Sequence, residues 1–163
     1  YERYAHGELT DADSIKVNRD DVYYTVGGRA VYGGGGIIPD IFVPMDTTRA
    51  STFYIQCSKK ATTMRFASAM FDKYRSELIQ IDDFGQLERW LDAHHLDRQF
   101  LDYAAAKDGL KPGPGEWKES EEYMMVQIKA LVGRYSKVGE EAFYRFYVGI
   151  DRTLQEALKP HAL

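Results

Sequence analysis

The stretch MMVQIKALVGRY, residues 124–135, decides the fold of this chain. Met124, Ile128, Leu131 and Tyr135 recur at i, i+4, i+7 and i+11, and Val132 widens the stripe, which is the spacing of one helical face. The same 3.6-residue period recurs on both sides of it. Upstream, Lys111-Pro112-Gly113-Pro114-Gly115 cannot continue a helix and reads as a loop, with Ser120 as the cap of the helix that follows. Downstream, Gly139 precedes a helix marked by Phe143, Phe146, Tyr147 and Ile150, and Asp151 begins a last one with Leu154, Ala157 and Leu158.

Further back, Met64, Ala67, Phe71, Tyr74 and Leu78 predict one helix over about residues 61–78 with that face buried. Asp83 followed by Gln86 is a capping-box-like start for a helix carrying Phe84, Leu87 and Leu91 and ending near His94-His95. Asp97 caps the next, with Phe100, Leu101 and Ala104 inward and Gly109 as its stop. No motif recurs at a fixed period, so the helices are not a repeat array.

Residues 1–46 differ in period and composition. Val22-Tyr23-Tyr24-Thr25-Val26 and Arg29-Ala30-Val31-Tyr32 are β-branched and aromatic runs on either side of Gly27-Gly28, which predicts a hairpin with a two-residue turn. Gly33 to Gly36 breaks the pattern. Pro39-Asp40-Ile41-Phe42-Val43-Pro44 then reads as a short edge strand bracketed by prolines. Before the hairpin, residues 1–8 suggest a frayed helix stopped at Gly7, and residues 11–15 a turn or second short helix. The expected architecture is α+β and predominantly helical: a β-hairpin and strand within residues 1–46, then about five or six packed helices in residues 47–163.

Composition narrows the class. With 163 residues, 44% hydrophobic, 28% charged and 12 Tyr, the chain has the apolar and aromatic content of a folded domain. A net charge of -4 gives no basic footprint for nucleic acid or anionic lipid. Cys57 is alone, so no intrachain disulfide forms. The chain opens on Tyr1 without an initiator Met or a signal-peptide pattern, and it reads as a piece of a longer protein.

Residues able to carry chemistry read mainly as structural. Gly33-Gly34-Gly35-Gly36 lacks the Gly-Lys-Ser/Thr ending and following helix of a phosphate loop, and it reads as a turned loop. Adjacent helical residues point about 100° apart, so His94-His95 reads as a helix end rather than a metal site; His6 and His161 sit in the terminal segments. Ser58-Lys59 and Ser136-Lys137 lack the desolvated lysine that would activate a serine, and both read as solvated surface. Cys57 reads as a small buried hydrophobe. The aromatic run Phe143, Tyr144, Phe146 and Tyr147 reads mainly as packing, with any excess available to cover a partner. No cofactor or metal is expected.

One combination exceeds its parts. Gly28-Arg29, then Val31-Tyr32-Gly33-Gly34-Gly35-Gly36-Ile37, then Pro39-Asp40-Ile41 resembles the Gly-Arg, Gly-Ile, Pro-Asp signature that closes the protease core of carboxy-terminal processing (tail-specific) serine peptidases, especially the envelope type with four glycines. Arg3 to Leu9, Asp13-Ser14-Ile15, Ile128 to Leu131 and Glu140 to Tyr144 are more loosely similar to the tail region of the same family. The resemblance implies a parent in which a Ser attacks the peptide carbonyl, a buried Lys is general base, and a PDZ-like domain captures the substrate's C-terminus. In that family all three precede the Gly-Arg motif, so no residue of this chain is expected to be catalytic.

What the resemblance assigns here is a structural set: Gly28, Arg29, Gly33, Gly34, Gly35, Gly36, Ile37, Pro39 and Asp40, with Arg29 expected to pair with Asp40 or a nearby carboxylate. The implied partners are the upstream protease core, the PDZ-like domain and the parent's protein substrates, with homo-oligomerisation also compatible. The implied location is a bacterial periplasm or cell envelope. The implied role is a non-catalytic C-terminal module that scaffolds the core or shapes substrate access. The alternative is a non-enzymatic interaction or oligomerisation domain.

Overall fold

Ser51, Asp83 and Asp151 each stand just ahead of a helix, and each side chain accepts the backbone N–H three residues on, from Tyr54 at 3.2 Å, Gln86 at 2.9 Å and Leu154 at 2.9 Å. These bonds satisfy donors that a helix start otherwise leaves without partners. In the computed structural model, which describes residues 7–8, 10–11, 14, 20–33, 41–46 and 48–160, eight helices follow a hairpin. They are α1 (Thr52–Lys59), α2 (Thr62–Lys73), α3 (Arg75–Leu78), α4 (Phe84–Ala93), α5 (Leu96–Asp108), α6 (Glu116–Tyr135), α7 (Glu140–Val148) and α8 (Arg152–Ala157). The architecture is α+β and predominantly helical. The chain separates into two compact units, Tyr1–Asp46 and Thr47–Leu163.

In the second unit α6 is the spine. Met124, Ile128 and Val132 are fully buried, and Ser120, Ala130 and Gly133 are buried beside them. At one end of the core the aromatic rings interlock edge-on, Phe66 on Phe100 with centroids 5.3 Å apart and Phe53 on Phe100 at 6.2 Å, while Trp117 stacks on Phe100. Such offset and edge-on contacts add to what burial of the rings already contributes. At the other end α4, α6 and α7 converge on Gly133. A Cβ there would lie 2.8 Å from that of Ala142 and 3.3 Å from Leu87 Cδ2, so the absent side chain sets how closely α7 approaches α6.

Several sequence expectations are corrected. The helix foreseen over about residues 61–78 is two, α2 and α3, because the backbone turns at Tyr74 (φ -112°, ψ 22°), where the Tyr74 ring meets Trp90 edge-on at 5.1 Å. The buried face of α2 is Thr63, Phe66, Ala67 and Met70, and Met64 is exposed. The apolar stripe is therefore read one residue out of phase at its start. Helix α1 was not foreseen. Ser120 is not a cap; α6 begins at Glu116 after left-handed Gly115 (φ 83°), and the Glu116 carboxylate reaches back to the Gly113 N–H at 2.7 Å. Asp97 lies in the first turn of α5, while His95 holds the cap position in a left-handed conformation. Asp151 caps α8 as expected, and Leu154, Ala157 and, just after the helix, Leu158 are exposed.

In the first unit β1 (Val22–Tyr24) and β2 (Ala30–Tyr32) pair antiparallel, Val22 with Tyr32 and Tyr24 with Ala30. The connection is longer than the two-residue turn foreseen. The Thr25 N–H bonds the Arg29 carbonyl at 2.9 Å, leaving a three-residue loop of Val26, Gly27 and Gly28, and Gly28 takes φ +79°, which a side chain resists. No strand forms over residues 41–46, so the edge strand foreseen from Pro39 to Pro44 is not present among the described residues. A strand is stabilised by a ladder, and Pro44 has no N–H to give to one.

Candidate functional site

The signature residues divide between what the structure describes and what it does not. Gly28 shapes the hairpin loop, Arg29 bonds back to Thr25 through its N–H and the Thr25 hydroxyl at 3.1 Å, and Gly33 closes the hairpin through its N–H to the Asp21 carbonyl at 2.7 Å. A Cβ on Gly33 would lie 2.8 Å from Tyr23 Cε2, so the ring of Tyr23 lies over that glycine. Gly34, Gly35, Gly36, Ile37, Pro39 and Asp40 lie outside the described residues, and with them the Arg29 to Asp40 pairing and the four-glycine loop. His6 and His161 lie outside them as well.

The other residues able to carry chemistry have defined places. Ser58 and Lys59 are both exposed on α1. Ser136 is not solvated surface as foreseen. It is buried at the end of α6, donating its hydroxyl to the Gly133 carbonyl at 2.6 Å and accepting the Val138 N–H, because it closes the turn into α7. Cys57 is fully buried, and burial pushes its thiol up to about 11, with the Asp108 carboxylate adding to the shift. A thiol held neutral in this way is a poor nucleophile. His94 caps the C-terminal end of α4 and His95 is exposed beside it. Among the described residues no group of three His, Cys, Asp or Glu gathers to hold a metal, and no helix is long and apolar enough to cross a membrane.

Three places that sequence reasoning missed bring polar groups together. Asp108 ends α5, where a carboxylate meets the negative end of the helix. It is held there by Arg65, whose guanidinium bonds both carboxylate oxygens at 2.6 and 2.8 Å, by the Thr62 hydroxyl at 2.6 Å, and by Lys60, which bonds its backbone carbonyl at 3.0 Å. The bonds from Arg65, then Thr62, hold the carboxyl below its ordinary range. This junction ties the end of α5 to α2. The clue in the sequence is an Asp as the last residue before a helix-stopping Gly109, a position that an acid occupies at a cost unless cations meet it.

The second place is a shallow cleft of about 410 Å3 between α2 and α5. Phe66, Ala69 and Met70 contribute apolar lining, and Lys73, Gln99, Asp102 and Tyr103 are polar lining residues. Lys73 donates to the Gln99 side chain at 3.0 Å, and Gln99 in turn donates to the His94 carbonyl at 2.6 Å. These residues lie 26 positions apart on separate helices, and no local pattern announces their meeting.

The third place follows from that chain of bonds. The His94 ring stacks on Trp90 at 3.6 Å, Tyr74 meets both rings edge-on, and Trp90 Nε1 donates to Glu77 at 2.8 Å. His94 Nδ1 bonds the Trp90 carbonyl at 2.6 Å, so it carries the proton, and Nε2 faces the Glu77 carboxylate at 3.9 Å. At that distance the carboxylate and the imidazole do not share a hydrogen bond. Among the described residues, no Ser, Thr or Cys is hydrogen-bonded to either. The set therefore lacks the nucleophile that acyl transfer requires.

The sequence model of a family of unknown function, DUF8443, matches residues 53–136, which run from α1 through α6 and cover just over half of the chain. Comparison with curated proteins and with solved structures returns no match.

Proposed function

We propose that this chain, which belongs to the family of unknown function DUF8443, is the non-catalytic C-terminal module of a carboxy-terminal processing serine peptidase. The observation that carries this reading is the match between the Gly28-Arg29 to Pro39-Asp40 motif and that peptidase signature, on a hairpin whose loop uses left-handed Gly28. In the parent, a Ser and Lys ahead of this segment perform the cleavage and a PDZ-like domain presents the substrate's C-terminus. The helical unit packs as a scaffold that braces the core or shapes substrate access. On this reading the parent works in a bacterial periplasm or cell envelope.

The coding sequence ahead of the codon for Tyr1 tests this directly. An in-frame segment with a Ser followed some tens of residues later by a Lys is expected, and changing that Ser to Ala in the complete polypeptide should abolish cleavage of an unstructured protein. A reading frame without such a pair would refute the proposal. The isolated chain should not cleave the same protein; turnover that survives purification and is lost in Ser58→Ala would also refute it.

A second reading, a non-enzymatic interaction or oligomerisation domain, is favoured by Tyr144, Val148, Leu154 and Leu158, large apolar side chains exposed on α7 and α8. Light scattering on the isolated chain separates the two. A concentration-dependent dimer lost in Leu158→Ser and Tyr144→Ser would favour association as the function.

A further inference from the structure

We propose that the cleft between α2 and α5 binds a zwitterionic small molecule with an apolar body, of the class of an α-amino acid with a large apolar side chain. The inference goes beyond the peptidase reading and does not rest on it. Phe66, Ala69, Met70 and Lys73 line one wall at i, i+3, i+4 and i+7, and Gln99, Asp102, Tyr103 and Ala106 line the other at the same spacing. Each set is therefore one face of its helix, about 10 Å long. Phe66 and Met70 are almost wholly buried and form the floor, where the Tyr103 ring meets Phe66 edge-on at 5.5 Å. Ala69 and Ala106 are exposed, and each puts only a methyl group where a longer side chain would fill the space.

The charges set the ligand class. Lys73 and Asp102 bring opposite charges to facing walls of the cleft, yet no ion pair joins them. Lys73 is held at one end instead. Its ammonium donates to Gln99 Oε1 at 3.0 Å and lies 4.7 Å from the centre of the Tyr74 ring. Gln99 Nε2 donates to the His94 carbonyl at 2.6 Å, so the amide that holds the lysine is itself fixed. Two of the three ammonium donors are left over. Asp102 makes no hydrogen bond or ion pair among the described residues. Neither charge is cancelled from within the cleft.

A molecule that fills the cleft takes water away from both groups, and a charge that loses water without gaining a partner is costly. A neutral apolar molecule compensates neither. An anion pairs with Lys73 and is repelled by Asp102, and a cation pairs with Asp102 and is repelled by Lys73. A molecule with both a carboxylate and an ammonium compensates the two, while its apolar body covers Phe66, Met70 and Tyr103. The volume of about 410 Å3 stands near the low end of the roughly 300–1,000 Å3 of small-molecule sites, which suits a single amino acid better than a longer peptide. The cleft is shallow, so a dissociation constant on the order of a millimolar is expected.

Amide NMR spectra of the full 163-residue chain, titrated with L-phenylalanine, test this. Saturable shifts are expected at Lys73, Gln99, Asp102 and Tyr103, with a midpoint on the order of a millimolar. N-acetyl-L-phenylalanine keeps only the carboxylate and L-phenylalaninamide only the ammonium, and each should bind about three- to fivefold more weakly. Glycine, which has both charges and no apolar body, should give no saturable shift over the same range. Asp102→Asn should remove the preference over the N-acetyl compound, and Lys73→Met the preference over the amide. Both side chains are exposed, so each variant should keep the unfolding midpoint of the unaltered chain. Binding of glycine or of either singly charged analogue as tightly as L-phenylalanine overturns the proposal. Shifts that stay linear up to about 20 mM, or that saturate only outside α2 and α5, overturn it as well.

Discussion

Tyr24 in the hairpin is 73% exposed, while Phe100 in the helical unit is fully buried, although both stand in aromatic, apolar stretches of sequence. The difference lies in what surrounds them. Phe100 is met by Phe53, Phe66 and Trp117 from three other helices, each presenting one apolar stripe to a shared interior. Among the described residues the hairpin has two strands, and a two-stranded ribbon alone offers neither face a second layer. Aromatic content thus announces an intended interior, and the number of layers decides whether the chain reaches it.

The sharpest way to break this contrast is a matched pair of substitutions in the isolated chain. Phe100→Ala empties a site ringed by rigid aromatics and should cost about 3–5 kcal/mol in denaturant unfolding. Tyr24→Ala should stay within about 0.5 kcal/mol. A comparable loss from both would mean that the hairpin side chain is buried in solution, and the contrast would fail.

Gly133→Ala probes the closest helix contact. Alanine improves helix propensity by about 1 kcal/mol over glycine. The new methyl would come within 2.8 Å of the Ala142 Cβ, a short side chain fixed to the α7 backbone and unable to swing aside. Overpacking of this kind costs about 1–3 kcal/mol, so a net loss of stability is expected, and a gain would show that α7 is free to move away from α6. The helical unit would then be looser than its aromatic end suggests.

Asp108→Asn tests whether the polar junction between α2 and α5 also holds the unit together. The folded carboxyl is held below its ordinary range, so its stabilisation is complete above a pH of about 4 and is lost as the pH falls through the lower folded value. The Asn variant should be less stable at neutral pH. Its stability should also fall less steeply in acid, by up to about one proton in the slope. A parallel curve would mean that Arg65 and Thr62 contribute nothing through the charge.

Periodicity made much of the helical architecture legible. Asp83 and Asp151 cap where their patterns place them, Phe100 and Ala104 turn inward, and Gly109 ends α5 in a left-handed conformation. What was not legible depended on groups distant in sequence. The break at Tyr74 goes with rings on α4, the burial of Ser120 with its bond to Ser51 at 2.9 Å, and the covered Ser136 with the turn into α7. The cleft was hidden for the same reason, since Lys73 and Gln99 meet only after two helices pack. The hairpin loop was misjudged by one residue because Gly27 and Gly28 both tolerate a left-handed backbone and the sequence does not say which uses it; Gly28 does.

The smallest effect is expected from the largest change, removal of residues 1–46. The unit Thr47–Leu163 has a continuous buried cluster from Phe53 to Ala142, and its central helix is covered by side chains of the same unit. A unit with its own core unfolds cooperatively without its neighbour. The truncated chain should therefore give a single transition, with a midpoint within about 2 °C of the intact chain. Among the described residues of the first unit the regular structure is one two-stranded hairpin, which is marginal by itself. Loss of the cooperative transition would mean that residues 1–46 complete the helical core, and the contrast between a self-sufficient unit and a dependent hairpin would reverse.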